Sequence, residues 1–295
     1  MTEPSPLPPV DRPLSSGACA TLACIWEATA PKPGNVYRGA DFDNVSYADF
    51  LTSAVLVGPV MEDVSRLGAG KAVRKAVEAT QAAVGSNTNL GLLLLLAPLA
   101  AVPSRAALAS GIAGVLADLT VEDTQEIYEA IRLAQPAALG KVAEADINAS
   151  ESPADSPVII MGLAADRDLI ARQYVNNFEQ VFSVADRIEQ GLREGLPLGG
   201  AIVHAFLVLL ASLPDSLIAR KCGAATARET SRRAATVVAA GKPGESPYDD
   251  AVREFDFWLR SDGHRRNPGT SADLVAAGLF TLLREQRLSW PVRFY

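Results

Sequence analysis

Apolar residues recur along most of this chain at intervals of three and four positions, the spacing of one face of an α-helix. The first such pattern covers residues 15–28, and a second follows Ser46. Two segments, residues 90–100 and 198–213, are apolar on nearly every face. Helices of that kind are expected to be buried, because none of their faces suits water. No stretch shows the alternation of a β-strand bounded by turn residues.

These helical segments number about a dozen, and no linker or internal repeat divides them. We therefore predict an all-α fold, a single compact multi-helix domain with central apolar helices wrapped by amphipathic ones. The domain is expected to span residues 15–295, with the proline-rich residues 1–14 as a flexible N-terminal arm. Within the domain, one helix is predicted over residues 158–177, and a last helix over residues 272–286, capped by Ser271.

Composition limits the class of protein. Of the 295 residues, 48% are hydrophobic and only 6% aromatic, so a large helical core is expected. The net charge of −7 argues against nucleic acid as a main partner, because nucleic-acid binding usually needs a basic face. Cys19, Cys24 and Cys222 lack zinc-site spacing and indicate reduced thiols. The apolar run from Leu90 is too short to span a membrane, so we expect a cytoplasmic protein without a membrane partner.

A cluster of small polar residues, Ser86, Asn87, Thr88 and Asn89, stands directly before the first apolar run. Because the helix that follows must be buried, it carries this cluster toward the interior. Side chains of these types cap helices by accepting hydrogen bonds from first-turn N–H groups. The N-terminus of a helix also favours an anion such as phosphate. The cluster is therefore interpreted either as part of a phosphate site or as a helix cap alone.

A loop rich in proline and glycine follows the first helix at residues 30–35. Its two prolines restrict the backbone and end the helix. Lys32 and Arg38 project from this region, and Asp41 and Asp43 come directly after it. Opposite charges on a rigid loop suit a polyphosphate bound together with a metal ion. A surface loop with solvated charges gives the same pattern, so both interpretations stay open.

Three further features have simpler interpretations. Asp168 and Arg172 are four residues apart, which is typical of an ion pair on the surface of a helix. His204 lies alone among apolar residues and is interpreted as a hydrogen-bonded core residue. Phe257 and Trp258 belong either to the core or to an exposed apolar patch that supports a homodimer.

Four stretches resemble motifs of the triphosphoribosyl-dephospho-CoA synthase family, in the family's order. Residues 29–34 are similar to its Thr-Pro-Lys-Pro-Gly motif, and residues 85–91 to its Gly-x-Asn-Thr-His-Lys-Gly motif. Residues 214–221 resemble its Pro-Asp-(Thr/Ser) segment with the basic stretch behind it. Residues 267–276 are similar to its Ser-Pro-Gly-Gly-Ser-Ala-Asp-Leu-Leu-Ala motif. The resemblance therefore covers most of the predicted domain.

The resemblance implies an all-α enzyme that joins ATP to dephospho-CoA and releases adenine. Asn89 and Leu90 stand where the family has His and Lys. This departure resembles a divergent branch with an Asn-Thr-Asn-Leu-Gly motif, associated with one-carbon metabolism and tetrahydromethanopterin synthesis. The acceptor is then dephospho-CoA or another molecule such as a pterin precursor. A non-catalytic, nucleotide-binding accessory protein is the third hypothesis, because leucine neither holds phosphate nor moves a proton.

Triphosphoribosyl transfer requires neutralisation of the triphosphate, a carboxylate near the cationic sugar and an acid for adenine. Magnesium is expected with ATP, because Mg²⁺ binds phosphate and carboxylate oxygens. The expected carboxylate at the sugar is Asp215 or Glu27. The expected metal ligands are Asp41, Asp43, Glu62 and Asp63. The expected phosphate-binding residues are Lys32, Arg38, Lys221, Arg265 and Arg266, together with the turn of Ser86, Asn87, Thr88 and Asn89.

Overall fold

Helices account for all regular secondary structure in the residues that the structure, a computed structural model, describes, namely 13–134 and 153–295. These residues form fifteen helices and no strand, so the predicted all-α class is confirmed. Nearly all of the predicted N-terminal arm, residues 1–14, lies outside the described residues. The helices are α1 (Ser16–Thr29), α2 (Tyr47–Glu62), α3 (Val64–Leu67), α4 (Ala69–Val84), α5 (Leu90–Ala101), α6 (Leu108–Ala117), α7 (Val121–Ala134), α8 (Pro157–Gly162), α9 (Leu169–Val175), α10 (Glu179–Arg193), α11 (Leu198–Ser212), α12 (Ser216–Cys222), α13 (Ala224–Ala239), α14 (Ser246–Arg260) and α15 (Gly269–Arg284).

Three apolar helices form the centre of the fold. Every residue from Leu92 to Ala100 of α5 is buried, as is every residue from Leu274 to Leu283 of α15, and α11 is buried along most of its length. Helix α15 packs against α1, α5, α10 and α11. Each fully buried leucine contributes about 1.5–3 kcal/mol relative to an exposed one. This burial confirms the predicted arrangement of central apolar helices.

The outer helices bury one face each. In α10 the buried residues Val181, Val184, Ala185 and Ile188 recur at helical spacing, and this face packs against α11 and α15. Helices α4, α7, α13 and α14 have the same character, with a buried stripe and a polar outer face. The layer of amphipathic helices is therefore what separates the apolar centre from water.

Two predicted helix starts are confirmed by their caps. The Ser15 hydroxyl accepts a hydrogen bond from the Ala18 N–H at 3.2 Å, which fixes the start of α1. Ser46 and Asp49 form a capping box at the start of α2, each side chain accepting from the other residue's N–H. Both caps satisfy first-turn N–H groups, which have no partner within the helix.

Two predictions about helices were wrong. Residues 158–177 form two helices, α8 and α9, because the Asp168 side chain caps α9 by accepting from the Ile170 and Ala171 N–H groups. Asp168 therefore does not pair with Arg172, whose guanidinium donates to the Ala165 carbonyl instead. The last helix begins at Gly269 rather than at residue 272, and Ser271 lies inside its first turn.

Three remaining expectations concern side chains and membranes. The His204 Nδ1 lies 3.0 Å from the Tyr248 hydroxyl, which confirms a hydrogen-bonded residue. Phe257 is 75% exposed, whereas the guanidinium groups of Arg233 and Arg266 pack on the Trp258 ring. The homodimer remains a prediction. Within the described ranges, no single helix has the length and apolar character to cross a membrane. Helices α11 and α12 meet that requirement only as a pair bent by 59°.

Candidate active site

A cavity of about 950 Å³ lies between the N-terminal ends of α5, α9 and α15, the last turn of α1, and α12. Its volume is in the range of small-molecule sites. Its apolar lining residues include Ile131, Met161 and Ile170. Its polar lining residues come from distant segments of the chain. The polar and charged lining residues include Glu27, Asn35, Asp43, Ser53, Ser86, Asn87, Thr88, Asn89, Asp168, Arg220, Lys221, His264, Arg265, Asn267, Thr270 and Asp273.

The polar cluster before α5 forms one wall of this cavity. The Asn87 Oδ1 accepts a hydrogen bond from the Leu90 N–H at 3.1 Å, so the capping function is carried by Asn87. The Thr88 hydroxyl lies 2.7 Å from that of Ser53 on α2. The buried Ser86 hydroxyl has no hydrogen-bond partner. Because α5 is buried, its positive N-terminal end points into the cavity and favours an anion there.

Glu27, in the last turn of α1, lines the cavity and forms an ion pair with Lys32. The Lys32 Nζ lies 2.9 Å from the Glu27 Oε1, and the Lys32 side chain is fully buried. The same ammonium group also donates to the backbone carbonyls of Glu27 and Ala30. Lys32 therefore lies behind Glu27 and fixes the position of its carboxylate at the cavity wall.

The loop that carries Lys32 is fixed by α14. The Gly34 N–H donates to Asp256 at 2.7 Å, and Arg260 donates to the Asn35 carbonyl at 2.6 Å. Gly34 has a φ of +76°, and an added Cβ would lie 2.9 Å from the Leu259 side chain, so a side chain does not fit. The prolines predict a rigid loop, and these long-range contacts with α14 restrict it further.

Asp273 lies beside the first turn of α5. Its carboxyl group lies so close to Gly91 that a Cβ on Gly91 would be 2.2 Å from the Asp273 Oδ2. Among the described residues, no hydrogen-bond donor contacts this carboxyl group. Burial, together with the nearby carboxylates of Glu27, Asp215 and Asp168, raises the pKa of Asp273 well above its ordinary value. The surroundings of Asp273 therefore favour the protonated, neutral form of its carboxyl group.

The basic side of the cavity is formed by α12 and by the loop before α15. Arg220 forms an ion pair with Asp168, the residue that caps α9. Arg265 donates to the Lys221 carbonyl at 2.9 Å, which places both cationic side chains on the same wall. Burial lowers the pKa of Lys221. Two cations and one ion-paired arginine therefore offer an anion a binding surface next to the α5 terminus.

Asp215 lies behind this wall and does not line the cavity. It is fully buried, and its Oδ1 accepts from the N–H groups of Leu217 and Ile218. Its Oδ2 accepts from the N–H and hydroxyl of Ser271, at 2.7 and 2.8 Å. Burial raises the pKa of Asp215, and these hydrogen bonds oppose the increase. With four hydrogen bonds, Asp215 ties α12 to the start of α15 and so positions Asp273.

The expected phosphate-binding residues fall into two groups. Ser86, Asn87, Thr88, Asn89, Lys221 and Arg265 line the cavity. Lys32, Arg38 and Arg266 do not: Lys32 is buried behind Glu27, and Arg38 is exposed on its loop. The Arg266 guanidinium packs on the Trp258 ring, 4.4 Å from its centroid. Only the first group can contact a ligand bound in this cavity as it stands.

The four expected metal ligands are not brought together. Asp43 lines the cavity, whereas Asp41 accepts from the Tyr47 N–H at 2.6 Å and Glu62 accepts from the Gly17 N–H at 2.7 Å. Asp63 pairs with Arg66 on the surface. In the described part of the chain, no group of three or more ligand-type side chains could hold a metal ion. These four residues therefore do not fit one magnesium site.

Three cavity residues, Asp273, Asp168 and Arg220, were not among the sequence-based site candidates. Asp273 stands near the start of a helix, where acidic residues are common for electrostatic reasons alone. Asp168 and Arg220 are 52 residues apart, so their ion pair has no local signal. Asp273 lies within residues 267–276, which resemble a motif of a known family. That resemblance is the sequence signal that could have identified Asp273 as a site residue.

Comparisons with known proteins identify the family of this chain. A family model described as CitG, ATP:dephospho-CoA triphosphoribosyl transferase, matches residues 14–292, a range that includes every cavity-lining residue. A crystal structure from Archaeoglobus fulgidus, of a protein provisionally named a triphosphoribosyl-dephospho-CoA synthase, matches with a TM-score of 0.61. The two chains share 26% sequence identity, and the match covers 80% of this chain and 98% of the other. No curated protein matches the chain.

Replacing Gly91 with alanine tests the close approach of α5 and Asp273. Alanine favours a helix over glycine by about 1 kcal/mol. At position 91, however, the new Cβ would lie 2.2 Å from Asp273 and force the carboxyl group to move. We predict that G91A lowers the free energy of unfolding by about 1–3 kcal/mol in urea titration. The matched control is G114A on α6, where nothing lies within 4 Å, and which should be neutral or stabilising. Equal stabilisation by both variants would contradict the contact.

Replacing Lys32 with methionine tests the buried ion pair. K32M leaves the Glu27 carboxylate buried without a cation and should lower the free energy of unfolding by about 3–5 kcal/mol. The double variant K32M/E27Q, which buries no charge at this pair, should recover part of that loss. The control R66M breaks the exposed pair with Asp63 and should cost less than about 1 kcal/mol. If K32M lowers the free energy of unfolding by as little as R66M does, Lys32 does not have the positioning role.

Proposed function

The chain belongs to the ATP:dephospho-CoA triphosphoribosyl transferase family, and from this premise we propose that it transfers the triphosphoribosyl group of ATP and releases adenine. The proposed acceptor is dephospho-CoA or a related molecule with a ribose hydroxyl. One observation carries the proposal. A single cavity is lined by a charged carboxylate, a cationic wall and an exposed helix N-terminus, the groups that transfer of a triphosphorylated sugar requires.

The triphosphate is proposed to bind along the cationic wall. Lys221 and Arg265 supply positive charge, and the turn before α5 supplies small polar groups beside a helix N-terminus. The unpartnered Ser86 hydroxyl lies in this turn and is available to a phosphate oxygen. These contacts bind ground state and transition state alike, so they lower KM more than they raise kcat.

The sugar is proposed to lie beside Glu27. When the bond between adenine and the anomeric carbon breaks, positive charge develops on the ribose ring. A carboxylate already held in place in a buried wall stabilises that charge without reorganising. Lys32 fixes the position of Glu27, so in this proposal the lysine acts through the glutamate and does not contact phosphate.

Magnesium has a limited place in the proposal. Mg²⁺ bound to the nucleotide neutralises phosphate charge, and it usually keeps several water ligands and takes only one or two carboxylates. Asp43 is the one expected metal ligand at the cavity. No step of the proposed transfer is assigned to a metal held by the protein.

The acceptor is proposed to use the apolar lining residues. Ile131, Met161 and Ile170 line the cavity, where an uncharged part of a second substrate can pack. Apolar lining of this kind accommodates the arm of dephospho-CoA and also a pterin ring. The choice between these acceptors is therefore left to the assay.

An adenine-release assay tests the proposed function. Purified protein with magnesium and ATP should release adenine, detected chromatographically, when dephospho-CoA or a pterin precursor is added. E27Q should lower kcat by about 10²–10³-fold, since one preorganised electrostatic contact is lost. K221M should raise the KM for ATP at least about tenfold, the loss of one charge-assisted contact.

The control for the assay is K75M, which removes an exposed lysine on α4 outside the cavity and should leave both constants unchanged. Release with dephospho-CoA alone, or with a pterin precursor alone, identifies the acceptor. ATP binding without adenine release in the presence of either acceptor would contradict the transferase and favour an accessory protein.

A further inference from the structure

Of the four carboxyl groups that line the cavity, Glu27 and Asp273 have opposite surroundings. Glu27 on α1 is paired with the fully buried Lys32 ammonium at 2.9 Å. Asp273 on α15 has no cation and no hydrogen-bond donor in contact within the described residues, and it lies against the backbone of Gly91. One carboxyl group is therefore paired with a cation, whereas the other has no partner in contact.

The charges around Asp273 strengthen this difference. Helix α5 contributes no titratable side chain, because its residues are apolar. Arg220 lowers the pKa of Asp273, but its guanidinium is already engaged by Asp168, and Lys221 and Arg265 also line the cavity. The titratable and charged groups that face it from the packed helices are Glu27 and Cys24 on α1, Asp168 before α9, and Asp215 and Arg220 at α12.

We propose that Asp273 is the catalytic acid that protonates the departing adenine, acting together with Glu27, which lines the same cavity. This inference rests on the proposed function and adds to it the residue that supplies the proton. Pairs of carboxyl groups whose environments favour opposite protonation states are a recurrent basis for acid–base assignments. The close approach to Gly91 fixes the position of the Asp273 carboxyl group at the N-terminal turn of α5.

The step balances with these two groups alone. The bond between the anomeric carbon and adenine breaks, its electron pair goes to the base, and the Asp273 proton goes to an adenine nitrogen. The acceptor oxygen forms a new bond to the anomeric carbon, and its hydroxyl proton goes to the Glu27 carboxylate. Glu27 begins as the anion and ends protonated, whereas Asp273 does the reverse, and exchange with water restores both.

The other buried carboxyl groups cannot take this role as they stand. Asp215 accepts four hydrogen bonds and does not reach the cavity. Asp168 uses one oxygen to cap α9 and the other to bind Arg220. A carboxylate that accepts several hydrogen bonds is stabilised as an anion and is a poor proton donor.

The protonation state of Asp273 can be measured without any turnover. An infrared difference spectrum between the full-length protein and D273N at neutral pH should contain the band of a neutral carboxyl group. The pH dependence of stability gives a second readout. Because the folded-state pKa is raised, wild-type stability falls relative to D273N as pH rises above the ordinary aspartate value. The thermal midpoint of D273N should therefore exceed that of the wild type at neutral pH, which also shows that D273N folds.

Activity then tests the role in catalysis. D273N should lower kcat for adenine release by about 10²–10⁴-fold, the usual contribution of a general acid. The alkaline decrease in rate, caused by loss of the Asp273 proton, should disappear. A triphosphate whose base leaves without protonation, such as the 6-chloropurine nucleotide, should be used by D273N and wild type at similar rates. The control D118N changes an exposed aspartate at the end of α6 and should behave as the wild type.

The outcomes separate this inference from the proposed function. Absence of adenine release by the wild type with both acceptors would overturn the function, and the catalytic role of Asp273 with it. A carboxylate band for Asp273 at neutral pH would overturn the inference alone. So would a D273N variant that is as active as the wild type, or that is equally impaired with the 6-chloropurine nucleotide. A neutral band together with rescue by that nucleotide supports the inference.

Discussion

The structure depends on the packing of two apolar helices, α5 and α15, whose N-terminal turns meet at Gly91 and Asp273. A helix without a polar face must be buried, and burying it draws the preceding residues inward. Two such helices in contact therefore bring the polar turn at residues 86–89 and the segment around Asp273 to one place. The cavity follows from this packing, and the remaining helices close its sides.

The charged groups directly behind the cavity wall are satisfied by their contacts. Asp215 uses all four of its hydrogen bonds to join α12 to α15, and Lys32 is fully engaged behind Glu27. An unpaired buried charge is expensive, so such pairing is expected in a stable core. Against this background Asp273 stands out, because burial without a partner is tolerated mainly where a function uses it.

The sequence predicted the class of the fold and much of the cavity, since both follow from a wholly apolar run that must be buried. It could not decide between Glu27 and Asp215, because the answer depends on a contact between Asp215 and Ser271, 56 residues apart. Lys32 and Arg38 look alike as loop cations, yet one is buried and the other exposed. Asp273 resembled an ordinary first-turn acid. Local patterns give the elements, whereas the direction of each side chain depends on tertiary contacts.

The most direct test of the account is a crystal structure of the protein with ATP bound in the absence of an acceptor. The account predicts the triphosphate against Lys221 and Arg265, with the ribose between the carboxyl groups of Glu27 and Asp273. Adenine would then lie within hydrogen-bond distance of Asp273. A nucleotide bound outside this cavity, or bound with its triphosphate against the two carboxyl groups, would contradict the account.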